Sequence, residues 1–167
     1  MRYLRLEGHP QEIAGSWERY REYLAGIRAH LVSEVFEFAS AQWHYDPKHH
    51  RSLHDSWLQS VAISEEARQV PDGSRSLRIK IALNGPYHDG HTYLSYHGVK
   101  KYELRLSAKE TSGSARGGHG DWMLDELTLS ENGNLLHDIA WSSGATWIIE
   151  CEHLTHHTTI PAVIESD

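Results

Sequence analysis

The stretch Asp121–Cys151, DWMLDELTLSENGNLLHDIAWSSGATWIIEC, holds three runs of alternating apolar residues separated by two short turns, and its register decides the fold. If Glu131-Asn132-Gly133 is a loop with Gly133 left-handed, Leu129 faces Leu135, Leu127 faces His137, Asp125 faces Ile139 and Met123 faces Trp141. The same loop length at Ser142-Ser143-Gly144 sets Ile139 opposite Trp147, His137 opposite Ile149 and Leu135 opposite Cys151. Shortening either loop by one residue mixes the faces, so this register is preferred. It places Asp125 and His137 on the core side as diagonal neighbours.

Upstream, the same period of two continues. Trp57 to Glu65 reads as a strand, Pro71-Asp72-Gly73 as a turn, and Leu77, Ile79, Ile81 and Leu83 alternate with Arg78, Lys80 and Ala82 as a half-buried strand ending at Asn84-Gly85-Pro86. Thr92 to Leu106 follows, with a bulge expected at His97-Gly98, and then a Gly- and Ser-rich loop from Thr111 to Gly120. Short turns between sequential strands imply an antiparallel meander.

Before residue 43 the period is helical. Ile13, Trp17, Tyr20, Leu24, Ile27 and Leu31 form one apolar stripe, Pro10 suits a first helical turn, and Ser33 caps a short second helix. These readings combine into an α+β class: N-terminal helices packed on a curved antiparallel β-meander of about six strands, because the alternation demands one buried face. A chain of 167 residues fits a single domain, with helices at about 10–42, the sheet at about 55–153 and a C-terminal tail at 154–167.

The composition is that of a globular chain, 39% hydrophobic and 23% charged, with six Trp and eight Tyr. No apolar run approaches a membrane span or a signal-peptide core, so a cytoplasmic protein without membrane attachment is expected. The lone Cys151, among Trp147, Ile148 and Ile149, is expected to be a buried inert thiol. The net charge of −7 is unevenly spread: from Gly117 onward no Lys or Arg occurs, against nine Asp and Glu. An acidic C-terminal third disfavours nucleic acid and suits a basic protein partner. Oligomeric state is not written in the composition.

Fourteen histidines supply the candidate chemistry. His54, Asp55, His88, Asp89 and His91, with His44, His49 and His50 nearby in sequence, would form a site for a divalent metal such as zinc if the turn at 84–91 lies beside the loop preceding the first strand. His and Asp in turns also bond free backbone groups, which needs no metal, and no established metal-ligand spacing occurs; no cofactor is expected on this reading. Asp125 and His137 are the catalytic candidates, a general base with an orienting carboxylate, although a buried His and Asp also satisfy one another. No nucleophile elbow, P-loop or dinucleotide fingerprint is present.

The segments WHYD at 43–46, HDSW at 54–57, GPYHDGH at 85–91, HGDWMLDE at 119–126 and WIIEC at 147–151 resemble a bacterial family of hypothetical proteins to which no activity is assigned. That resemblance implies a single domain and carries no reaction with it. Size, acidity and the helix-plus-sheet layout are also similar to those of immunity proteins of bacterial toxin systems. The expected function is therefore non-enzymatic protein binding, immunity-like, through Trp57, Tyr87, Trp122, Glu126, Glu150 and Glu152. The alternative is a metal-dependent hydrolase or a small-ligand-binding protein using the His and Asp cluster.

Overall fold

A computed structural model of the chain describes residues 1–5, 7–67, 74–106 and 118–160. The expected turn at 71–73, the loop at 111–117 and the end of the tail, with Glu165 and Asp167, lie outside the described residues.

Helix α1 spans Pro10–Ile27 and α2 spans Ser33–Ser40, joined by a 3-10 turn at Arg28–His30. Pro10 starts α1, where its missing N–H is no loss, and the Glu12 carboxylate accepts the His9 N–H at 3.4 Å. Tyr20 and Leu24 of the apolar stripe are buried, with Ile13, Trp17 and Ile27 half-buried at its margins. Ser33 is the first helical residue of α2, and the extended residue before it is Val32, one position earlier than the expected cap. A second 3-10 turn, Gln42–Tyr45, leads into the sheets.

Eight antiparallel strands follow: β1 Trp57–Ala67, β2 Arg75–Asn84, β3 His91–His97, β4 Lys101–Arg105, β5 Trp122–Leu129, β6 Leu135–Trp141, β7 Thr146–Cys151 and β8 His153–Thr158. They form two four-stranded sheets, ordered β1-β2-β3-β8 and β4-β7-β6-β5. The α+β class is that of the sequence reading, and the larger strand count has a specific cause. β3 and β4 are one run of chain broken at Gly98, and β7 and β8 are another, broken at Glu152. The breaks face each other: the Glu152 N–H donates to His97 O at 3.0 Å. Six runs of chain thus make a sheet bent over at one corner, which yields two sheets facing a shared core.

Gly98 sits at this corner with φ +63, and a Cβ there would run into the Glu152 side chain, so the bend is specified by a residue that tolerates both constraints. The expected C-terminal tail is in part a strand, because β8 pairs along β3 from His97↔His153 to Thr92↔Thr158. Its polar, histidine-rich sequence hides a strand that buries only Leu154 fully.

The register of the closing hairpins is as the sequence dictates. Leu129↔Leu135, Leu127↔His137 and Asp125↔Ile139 pair in the first, and Ile139↔Trp147, His137↔Ile149 and Leu135↔Cys151 in the second. Gly133 and Gly144 both have positive φ, at +78 and +80. The exception is Trp141, which faces Trp122 in place of Met123 because β5 is irregular between Trp122 and Leu124. The shared core joins Leu24, Val35 and Phe38 from the helices to Ile79, Ile81, Leu94, Tyr96, Trp122, Ile139 and Trp147 from the sheets. Each such fully buried aliphatic side chain contributes about 1.5–3 kcal/mol of transfer free energy.

Candidate functional site

The 3-10 turn Gln42–Tyr45 is the hub of the molecule. His44 is 2% exposed and points inward; its Nδ1 lies 2.9 Å from Phe38 O, and its Nε2 lies 2.9 and 3.0 Å from the two carboxylate oxygens of Asp125. Asp125 also accepts the Trp122 indole N–H at 2.9 Å and meets His137 Nε2 at 2.9 Å. Beyond it, Tyr96 OH lies 2.8 Å from His137 Nδ1. A polar chain therefore crosses the core from β3 of one sheet, through β6 and β5 of the other, to α2.

The donors and acceptors of this chain assign its protons. Phe38 O can only accept, so His44 Nδ1 carries a proton, and the ionised carboxylate can only accept, so His44 Nε2 carries another. His44 is thus a cation paired with the Asp125 anion. A second buried cation would be uncompensated, so His137 donates to Asp125 through Nε2 and accepts the Tyr96 hydroxyl proton at Nδ1. Burial pushes the Asp125 carboxyl up, but the His44 charge and the hydrogen bonds from His137 and His44 hold it well below the usual carboxylate range. Burial keeps the Tyr96 hydroxyl protonated by raising it well above its ordinary value.

Asp125 and His137 therefore meet as the register requires, but every ring nitrogen and carboxylate oxygen in the chain already has a partner. Their hydrogen bonds lie within the protein, and the network ties the two sheets to α2 as a strut.

The strut fixes the segment that follows it. Ser52 Oγ donates to His44 O at 3.2 Å, and the flanking Trp43 turns toward α2 and β8. There a cleft of about 240 Å³ opens among Glu34, Val35, Glu37 and Phe38 of α2, Trp43, Arg51, and Leu154 and His156 of β8. The Arg51 guanidinium lies 4.7 Å over the Trp43 ring, the arrangement of a cation on an aromatic face. Its Nε is buried without a hydrogen-bond partner, as is Nε2 of His156, whose ring stacks on Trp43 at 5.6 Å. Burial first, then the positive charges of Arg51, His44 and His157, push His156 down to about 4, so it is uncharged at neutral pH.

The expected metal cluster is dispersed into pairs. Asp89 meets His50, at 2.5 Å, and that ring stacks on Tyr87 at 4.0 Å. His54 Nδ1 lies 3.1 Å from the carboxylate of its neighbour Asp55 without hydrogen-bond alignment, His88 packs edge-on against Trp57, and His91 lies near Tyr93. Among the described residues no three His, Cys, Asp or Glu side chains gather as a ligand set. The turn itself is tightly specified: His88 is the left-handed residue at φ +60, and a Cβ on Gly90 would come within 2.8 Å of the Ile160 backbone.

The expected binding residues divide in the same way. Trp57 and Tyr87 are exposed, at 49% and 48%, but Trp122 and Glu126 are wholly buried and cannot meet a partner. Glu126 is spent on the N-terminal segment, accepting the backbone N–H groups of Arg2, Tyr3 and Leu4. Glu150 is held by Asn134 and Ser130, whose hydrogen bonds lower its carboxyl, and Glu152 pairs with Lys100 at 2.5 Å. Cys151 is buried, and burial pushes its thiol up to about 12.

Arg51, Trp43 and His156 were not singled out as a group by the sequence. They come from three segments with no shared spacing; only the WHYD stretch marks the neighbourhood. No protein-family model matches the chain, and no curated protein matches it. No helix among the described residues is long and apolar enough to cross a membrane.

Proposed function

We propose that the chain is a non-enzymatic small-ligand-binding protein whose site is the cleft between α2, Trp43, Arg51 and β8, and that it takes a compact organic anion with an apolar body. The observation that carries this reading is the state of Arg51. Its side chain makes no ion pair or hydrogen bond with any described residue, yet it is held over Trp43 at the wall of a cleft. A guanidinium without an ion-paired carboxylate at the wall of a cleft can receive an oxyanion through its terminal nitrogens, and the half-buried Trp43 offers apolar surface to the remainder. Isothermal titration with 3-phenylpropionate should show binding that Arg51→Gln weakens roughly tenfold or more, the worth of a charge-assisted hydrogen bond. Equal affinity in the two proteins would overturn the assignment.

A second reading, recognition of a basic protein partner, is favoured by the exposed Trp57 and Tyr87, which lie at one end of the first sheet beside the carboxylates of Asp55 and Asp89. It moves the surface away from Glu126, Glu150 and Glu152. Under this reading Trp57→Ala and Tyr87→Ala abolish binding of a defined basic protein in surface plasmon resonance; affinity unchanged by both substitutions excludes it.

A further inference from the structure

We infer that the cleft takes a zwitterion, an α-amino acid with a flat or apolar side chain, its carboxylate on Arg51 and its ammonium group at Glu34 and Glu37. The inference rests on the cleft being an anion-binding site and adds the second charge and the ligand class. Glu34 and Glu37 stand three positions apart on α2, so they share one side of the helix, and both line the same cleft as Arg51. Neither carboxylate is joined by an ion pair or hydrogen bond to any described residue, and Arg51 is not either. Charges of both signs thus border one cavity, carried by separate elements, without neutralising each other.

A ligand of one sign would be attracted by one wall and repelled by the other. An amine without a carboxylate meets the Arg51 cation, and a carboxylate without an amine meets two anions. A molecule that holds both charges on one short frame satisfies both walls, and a cavity of about 240 Å³ limits that frame to a single small unit. His156, uncharged at neutral pH, lines the cleft without adding a third charge. Trp43, which is half-buried, supplies the apolar part of the wall on which a planar side chain packs.

The test is a comparison of phenylalanine with 3-phenylpropionate, which lacks the amine, and phenethylamine, which lacks the carboxylate. Titrations are made on the whole chain and on the variants Arg51→Gln, at a half-buried position, and Glu34→Gln/Glu37→Gln, at exposed ones, with circular dichroism confirming that each variant is folded. Phenylalanine should bind at least about tenfold tighter than either analogue, a step of one charged contact. The double Glu variant should bring it to the affinity of 3-phenylpropionate, and Arg51→Gln to that of phenethylamine. If 3-phenylpropionate binds as tightly as phenylalanine, the anion site stands and the zwitterion is overturned. If none of the three binds, both readings fall.

Discussion

The two outermost strands of the bent sheet, β5 and β1, face the same problem and solve it in opposite ways. Among the described residues each has one side with no neighbouring strand beyond the single bridge Trp57↔Asp121, which leaves backbone N–H and C=O groups without ladder partners. On β5 those groups are met one by one. The Tyr20 hydroxyl of α1 accepts the Leu127 N–H at 2.7 Å and donates to Leu127 O at 3.1 Å, so a phenol takes the place of a missing strand. Tyr23 accepts the Leu129 N–H at 2.8 Å, and the loop before β1 bonds Trp122 through Ser56 O and the Asp55 N–H. Among the described residues β1 has no such cover beyond Trp57; from Gln59 to Ala67 only Val61 is even half-buried. Its Ser60, Ser64, Glu65 and Glu66 stay hydrated, which discourages pairing with another chain. A covered edge permits an interior charge network behind it, whereas a bare edge must stay polar.

The contrast can be broken most forcefully at Asp125. Asp125→Ala leaves the His44 cation buried without its counter-ion, and a loss of about 3–5 kcal/mol in urea unfolding is expected. A loss below about 1 kcal/mol, the scale of a single neutral hydrogen bond, would show that no charged pair is buried there. Tyr20→Phe is the intermediate case. It orphans two buried backbone groups of β5 for an expected cost of about 1–3 kcal/mol, with faster hydrogen exchange at the Leu127 amide. On β1 the matching surface change, Ser64→Lys, should stay within about 0.5 kcal/mol of wild type in the same unfolding assay. If it cost as much as Tyr20→Phe, the two edges would not differ in kind.

Local periodicity made the helices, the closing hairpins and the inward pair Asp125 and His137 legible in the sequence, because each depends on residues close along the chain. The third member of the strut was not legible. His44 lies 81 positions from Asp125 and nothing in its own neighbourhood indicates a buried cation. Glu126 escaped for a different reason: its partners are backbone N–H groups of residues 2–4, which have no side-chain signature. The corner at Gly98 was visible only as a bulge, since the facing break at Glu152 is what turns a bulge into a fold of the whole sheet. The cleft was hidden because its charged walls are set by α2, a loop and the strand β8 that the sequence presents as a polar tail.

The pairing of β3 with β8 also constrains the order in which the molecule can be made. Thr92 and Thr158 lie 66 positions apart, and this seam joins the first sheet to the chain that has just left the second. β1, β2 and β3 can pair by short-range closure, as can β5, β6 and β7, but neither set encloses the core alone. Loop-closure entropy makes the seam a late event, and the high sequence separation places this topology among slow folders. Until that seam closes, the apolar face of the first sheet lacks the cover that the second sheet gives it in the folded protein.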